Sequence, residues 1–386
     1  MLDASAVLSA LHSVLAEAPR PVALHEPVFE GDEWRNVKDC LDTGWVSSVG
    51  AYVDRFESEL GELAGGYAIA VMNGTAALHA CMLVAGVEAN DEVLVPALTF
   101  IATANAVSYC GAVPHFVDSD PRTLGVDPER LGRYLAEAAA TRDGGLWNRR
   151  TGRRIRAIVP MHTFGHPVDM DALLEVAARF HLAVIEDAAE SLGSTYKGRH
   201  TGALAPIGAL SFNGNKIITT GGGGAIVTRD RATAATAKHL TTTARLPHRW
   251  SFLHDQVGYN YRMPNLNAAL GCAQLAALPA LVRRKRALAD RYAGAFAGLK
   301  GARIFREPEF AASNYWLNVL LLDEGASGKR DEILDASNAA GVHTRPVWTL
   351  MHKLPMYAEC PRMELDAVAS LERRIVCLPS GPRLSH

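Results

Sequence analysis

The chain has 386 residues, 48% of them hydrophobic, so it is long enough to bury more than one core and reads as a packed globular protein. A net charge of −2, with acidic and basic residues interspersed, argues against a nucleic-acid surface. Six cysteines without a CxxC pair argue against a zinc site and a disulfide framework and suit a reducing cytosol, so no metal and a cytoplasmic location are expected.

In chain order, Val7, Leu8, Leu11, Val14 and Leu15 recur at helical spacing. This predicts an amphipathic helix within residues 1–20 that packs on the body; His12 and the lack of a basic start argue against a signal peptide. Residues 21–264 are expected to form a large domain. From about residue 66, β-branched runs such as "YAIAVM", "EVLVP", "IRAIVPMH", "LAVIED", "ALSFN" and "GAIVT" alternate with Ala/Leu-rich helical segments. That alternation implies an α/β fold with a mostly parallel sheet covered on both faces, and places ligands at the carboxyl ends of the strands. Residues 141–155 look like a basic, solvated insertion.

After Pro264 a long helical pattern begins, which Pro279 is expected to kink or split. Residues 265–386 then supply strands "YWLNVLLLD", "VHTRPVW" and "RIVCLPS" around one helix, a smaller α+β unit. No later run approaches the ~18 apolar residues of a membrane span, so no membrane partner is expected.

Three features of the large domain carry chemistry. "AVMNGTAAL" is a strand, a polar turn and a helix start, in which Gly74, Thr75 and free N–H groups could hold a phosphate; an ordinary Asn-Gly cap has the same appearance. "LAVIEDAAES" ends a buried strand in Glu186 and Asp187. Such a carboxylate needs a cation, either a protonated pyridine nitrogen or a salt-bridge partner, unless it caps a helix. Lys216 follows the strand "ALSFN", where a desolvated amine could attack a carbonyl. Phosphate cradle, ring-nitrogen carboxylate and amine occur in the order that suits the three attachment points of pyridoxal phosphate. Neither GxxxxGK[ST] nor GxGxxG spacing is met around the four glycines.

"NGTAAL", "PALTFIATANAV", "EDAAES", "SFNGNK" with "GGGGAIVT", and "GYNYRMPNLNAAL" resemble, in order, the motifs of the DegT/DnrJ/EryC1/StrS sugar aminotransferases, fold-type I pyridoxal phosphate enzymes. The resemblance implies a homodimer that uses L-glutamate, passes through pyridoxamine phosphate and aminates C4 of a nucleotide-linked keto sugar. It makes Lys216 the lysine bonded to the cofactor and Asp187 the partner of the ring nitrogen. Ser211, Gly74 and Thr75 would hold the phosphate, Phe100 and Ala189 would flank the ring, and Glu190 would approach O3′. Asn260 would reach the phosphate of the neighbouring subunit's cofactor. Gly222 departs from the usual Gly-Glu-Gly-Gly after the lysine, while Lys216 itself argues against the related dehydratases, which carry histidine there.

"SNYWLN", "RPVWTLMHKLPMY" and "CLPSG" look like the branch that aminates UDP-4-keto-6-deoxy-N-acetylglucosamine for bacillosamine and legionaminic acid. Arg345, Trp348, His352 and Tyr357 would then meet the nucleotide sugar, and His162 could face cofactor or sugar. Each has a plainer alternative: a structural histidine for His162, a domain-packing loop for the others, and a core position for Phe100. A GDP- or dTDP-linked keto sugar, a pyridoxal phosphate enzyme acting on amino acids, and a non-catalytic relative of the fold are the competing functions.

Overall fold

The computed structural model describes residues 2–142 and 144–385. Seven strands form the path of the central sheet: β1 (Tyr67–Val71), β2 (Glu92–Pro96), β3 (Val113–Val117), β4 (Arg154–Ile158), β5 (Ala183–Asp187), β6 (Ile207–Ser211) and β7 (Gly224–Thr228). Their order is β1-β7-β6-β5-β4-β2-β3. From β6 to β3 every pairing is parallel, while β7 runs antiparallel to both its neighbours. The interior strands are almost wholly buried, as expected of strands covered on both faces. Because β2, β4, β5 and β6 run the same way, their carboxyl ends open on one edge of the sheet.

The insertion is not simply solvated. Ala139–Arg142 and Gly145–Asn148 pair as a hairpin that adds to the sheet beside β4; Asp143 lies outside the described residues. The buried Glu92 carboxylate clamps its base, accepting from Asn148 Nδ2 at 2.9 Å, Thr151 Oγ1 at 2.5 Å and the ring of His115 at 2.8 Å.

A second, antiparallel sheet takes the order Ala302–Ile304, Asn318–Leu322, Ile375–Leu378, Arg345–Pro346. The first helix, Ala4–Val14, is capped by Asp3 and buries Val7, Leu11 and Val14 against Leu288, Tyr292 and Phe296. Those three partners lie on the helix Asn265–Phe296, whose earlier part packs Ala268, Cys272 and Leu275 with Phe56 and Leu60. One helix thus contributes to two cores. It runs unbroken across Pro279, so of the kink or split expected there the split does not occur. By length and hydropathy alone this helix could cross a membrane, yet 56% of its most apolar window is buried inside the protein, which makes it a core helix.

Candidate active site

The carboxyl edge of the sheet opens into a cleft of about 290 Å³ lined by Gly74, Thr75, Phe100, Asp187, Ala189, Glu190, Ser211, Lys216 and Trp348. Residues from four strand ends and from the second sheet's loops therefore meet there.

Strand alternation separates the two adjacent carboxylates. Glu186 accepts from Gly202 N at 2.7 Å, Ala205 N at 2.6 Å and His162 Nε2 at 2.9 Å. Val168 N donates to His162 Nδ1 at 3.2 Å, which leaves the ring proton on Nε2 for Glu186. His162 and Glu186 form a satisfied internal pair, and the structure does not bring His162 to the cleft. Asp187 faces the cleft instead, accepting from Thr103 Oγ1 at 2.7 Å and from Ala189 N at 3.2 Å. Burial pushes its pKa up, opposed by those two hydrogen bonds and by the charge of Lys216.

Glu190 is also buried. Its Oε1 lies 3.3 Å from Lys216 Nζ and its Oε2 accepts from Phe164 N at 2.9 Å. Burial raises its pKa to about 7 against the pull of Lys216. Lys216 follows a turn closed by its own N–H donating to Asn213 O at 2.9 Å.

At the opposite wall, Asn73 caps the helix Gly74–Val84 by accepting from Ala76 N at 2.8 Å. The amides of Gly74 and Thr75 lie beyond reach of the helix's own carbonyls and are free for an anion. A Cβ on Gly74 would come within 2.8 Å of Ser211 Cβ, so glycine lets the helix start and Ser211 close on one another. Phe100 is 49% exposed, which makes it a cleft wall and not a core residue. It meets Trp348 edge-on, with centroids 6.3 Å apart.

These residues fit pyridoxal phosphate. The buried Asp187 carboxylate has hydrogen-bond donors but no cation among its hydrogen-bond and ion-pair partners, as a partner for a protonated ring nitrogen requires. A helix start beside a hydroxyl suits the phosphate, and one lysine amine opens into the same cleft.

Other expected positions lie elsewhere. Tyr357 is buried and donates to Asn105 Oδ1 at 2.5 Å. Arg345 is occupied by Asn338 Oδ1 and Thr344 O, both at 2.9 Å. His352 sits in the short helix Met351–Lys353. Asn260 is exposed and bridges Thr242, away from the cleft of its own chain. A Cβ on Gly222 would meet only Met72 O, at 4.0 Å, so packing does not exclude the family's glutamate there. Sequence reading missed Thr103, whose signal was its place in the helix that follows Phe100, and Trp316, which had no local signal.

The DegT/DnrJ/EryC1/StrS aminotransferase family model matches residues 28–386. The GDP-perosamine synthase of Caulobacter vibrioides is 40% identical over 89% of this chain and 88% of its own length. That of Escherichia coli O157:H7 is 37% identical over 95% and 94%. The crystal structure of a DegT DnrJ EryC1 StrS aminotransferase from Brucella abortus superposes with a TM-score of 0.83 at 28% identity, covering 92% of this chain and 91% of that one. A match of that extent, together with a fold and a cleft of this kind, makes the chain a member of the DegT/DnrJ/EryC1/StrS family of pyridoxal phosphate-dependent sugar aminotransferases.

Proposed function

We propose that this protein transfers the amino group of L-glutamate to C4 of a GDP-linked 4-keto-6-deoxyhexose, giving a GDP-4-amino sugar of the perosamine type. The observation that carries the nucleotide assignment is the likeness, over about nine tenths of the chain, to two GDP-perosamine synthases. The UDP-linked, bacillosamine-type expectation gives way to it. That expectation rested on "SNYWLN", "RPVWTLMHKLPMY" and "CLPSG", and several of their side chains are engaged in internal contacts: Tyr357 with Asn105, Arg345 with Asn338, Trp316 with Asn215.

When bound, pyridoxal phosphate supplies an electron-accepting ring conjugated to the carbon that exchanges its nitrogen. Gly74, Thr75 and Ser211 would hold its phosphate, with Phe100 and Ala189 flanking the ring. Asp187 would keep the ring nitrogen protonated. Lys216 Nζ would bond the aldehyde carbon and, once released, take the proton from the donor's Cα and return it at the cofactor carbon. Trp348, at the mouth with Phe100, offers an apolar wall to the deoxy sugar.

The working unit in this reading is a homodimer. Asn260 sits on the segment after an exposed hairpin, Arg245–Leu246 with Leu253–His254, whose Trp250 and Phe252 are 74% and 73% exposed and whose neighbour Val257 is 82% exposed. Apolar side chains so placed suit burial against a second copy.

The test is turnover of a panel of UDP-, GDP- and dTDP-4-keto-6-deoxy sugars with L-glutamate, products being identified by mass spectrometry and NMR. The GDP sugar should be used fastest. Faster use of UDP-4-keto-6-deoxy-N-acetylglucosamine would restore the UDP branch, and amino-acid chemistry without any sugar turnover would overturn the function.

A further inference from the structure

Lys216 and Trp316 line the same cleft. Lys216 Nζ lies 4.1 Å from the centre of the Trp316 ring, on the face that attracts a cation, and 3.3 Å from Glu190 Oε1. The indole Nε1–H of Trp316 donates to the carbonyl of Asn215 at 2.7 Å. Trp316 thus holds the backbone one residue before the lysine and lies against the lysine's own amine.

Trp316 is itself fixed from behind. Tyr315, buried and at φ +48, turns the chain just before it, in a region that a bulky residue occupies only under constraint. Trp316 N donates to Asn314 Oδ1 at 2.8 Å, and Asn314 Nδ2 donates to the carbonyls of Glu190 and Leu192, each at 2.9 Å. The Trp316 carbonyl accepts from Lys285 Nζ at 3.1 Å, and Lys285 also donates to Ser380 O at 2.5 Å. Lys285 is wholly buried, and both its acceptors are neutral carbonyls. Desolvation makes an amine an expensive choice there. What the amine adds over a methionine of similar length is a pair of N–H groups tying "SNYWLN" to "CLPSG".

We propose that Trp316, anchored by Lys285, is a positioning residue that holds the Lys216 amine beside Glu190 whenever that amine is not bonded to the cofactor. The inference rests on the reading of Lys216 as the lysine that bonds pyridoxal phosphate. In that event the lysine nitrogen and the aldehyde carbon join and one water leaves. An amine held in place makes the bond faster than one that must first be ordered.

The experiment uses the full chain stripped of cofactor. Pyridoxal phosphate capture is followed by absorbance and its site mapped by borohydride reduction and peptide mass spectrometry. Affinity for pyridoxamine phosphate, which cannot bond to the lysine, is measured in parallel. Trp316→Leu should slow capture about tenfold, from loss of both the ring face and the indole hydrogen bond, while pyridoxamine phosphate affinity stays within about twofold. Trp316→Phe, which keeps an aromatic face, should recover most of the rate. Lys285→Met, if it folds, should slow capture in the same direction as Trp316→Leu. Three results with the Trp316 variants would each overturn the inference: capture by Trp316→Leu within twofold of the parent, a matching fall in pyridoxamine phosphate affinity, or a phenylalanine variant as slow as leucine. A borohydride label on a lysine other than Lys216 in the parent protein would remove the reading of Lys216 and this inference together, whereas the first three results leave that reading intact.

Discussion

Glu190→Gln should make the cofactor-free protein more stable, and only above about pH 5. The Glu190 carboxyl is 2% exposed, and burial lifts its pKa from the ordinary 4.5 to about 7. Between those two values the folded chain holds a proton that the unfolded chain has lost, so stability falls as pH rises through the window. Above about pH 7 both states are ionised and the loss is complete. Moving the carboxyl from 4.5 to about 7, at about 1.4 kcal/mol for each tenfold change in proton affinity, amounts to roughly 3–4 kcal/mol. Glutamine keeps an oxygen for the Phe164 N–H but carries no proton to titrate. Asp187, also raised by burial, is present in both proteins and largely cancels in their difference.

The assay is urea unfolding of the two cofactor-free proteins, followed by circular dichroism, from pH 4.5 to 8.5. The stability of the glutamine variant minus that of the parent should rise across the window by roughly 3–4 kcal/mol and then level off. A difference that stays flat, or that falls, would mean that the nearby Lys216 amine, 3.3 Å away, compensates the buried carboxylate fully. The account of Glu190 as a group near neutrality would then fail.

Three further outcomes can be measured. Asp187→Asn should weaken cofactor retention by roughly 10- to 1,000-fold, the range set by one buried opposite charge, and slow both half-reactions; a variant with ordinary retention in an absorbance titration would remove its proposed role. Gly165→Ala should lower stability by about 2–4 kcal/mol on urea unfolding, because the backbone is at φ +94 and the added Cβ would lie 1.9 Å from Asn314 Oδ1; a change below about 1 kcal/mol would contradict that packing. Inactive Lys216→Ala chains mixed with Asn260→Ala chains should regain activity if the asparagine serves the neighbouring site, since a hybrid dimer then has one intact site. No recovery in verified hybrids of two harmful variants would rule out the cross-subunit contact.

How much of this site could be read from the sequence depends on how far apart its parts lie along the chain. Gly74, Asp187 and Lys216 were readable because each stands at or just beyond a strand end: β5 and β6 pair in parallel, and β1, antiparallel to β7 as β6 is, runs the same way, so these ends open on one edge whatever the loops do. Which of Glu186 and Asp187 faces the cleft was settled by partners from other strands and loops: His162, Gly202 and Ala205 for one, Thr103 for the other. Trp316 was out of reach, because its place against Lys216 depends on a chain reversal at Tyr315 and a lysine 31 residues earlier. The same segment was read from its resemblance as a mark of the UDP-sugar branch, yet it is buried beside Lys216, with Ser313, Asn314, Tyr315 and Trp316 at most 5% exposed. A motif shared within a branch can therefore record how Lys216 is held as readily as what the enzyme binds. If so, transplanting "SNYWLN" between branches should leave nucleotide preference unchanged while altering cofactor capture, and a change of preference without a change of capture would contradict the argument.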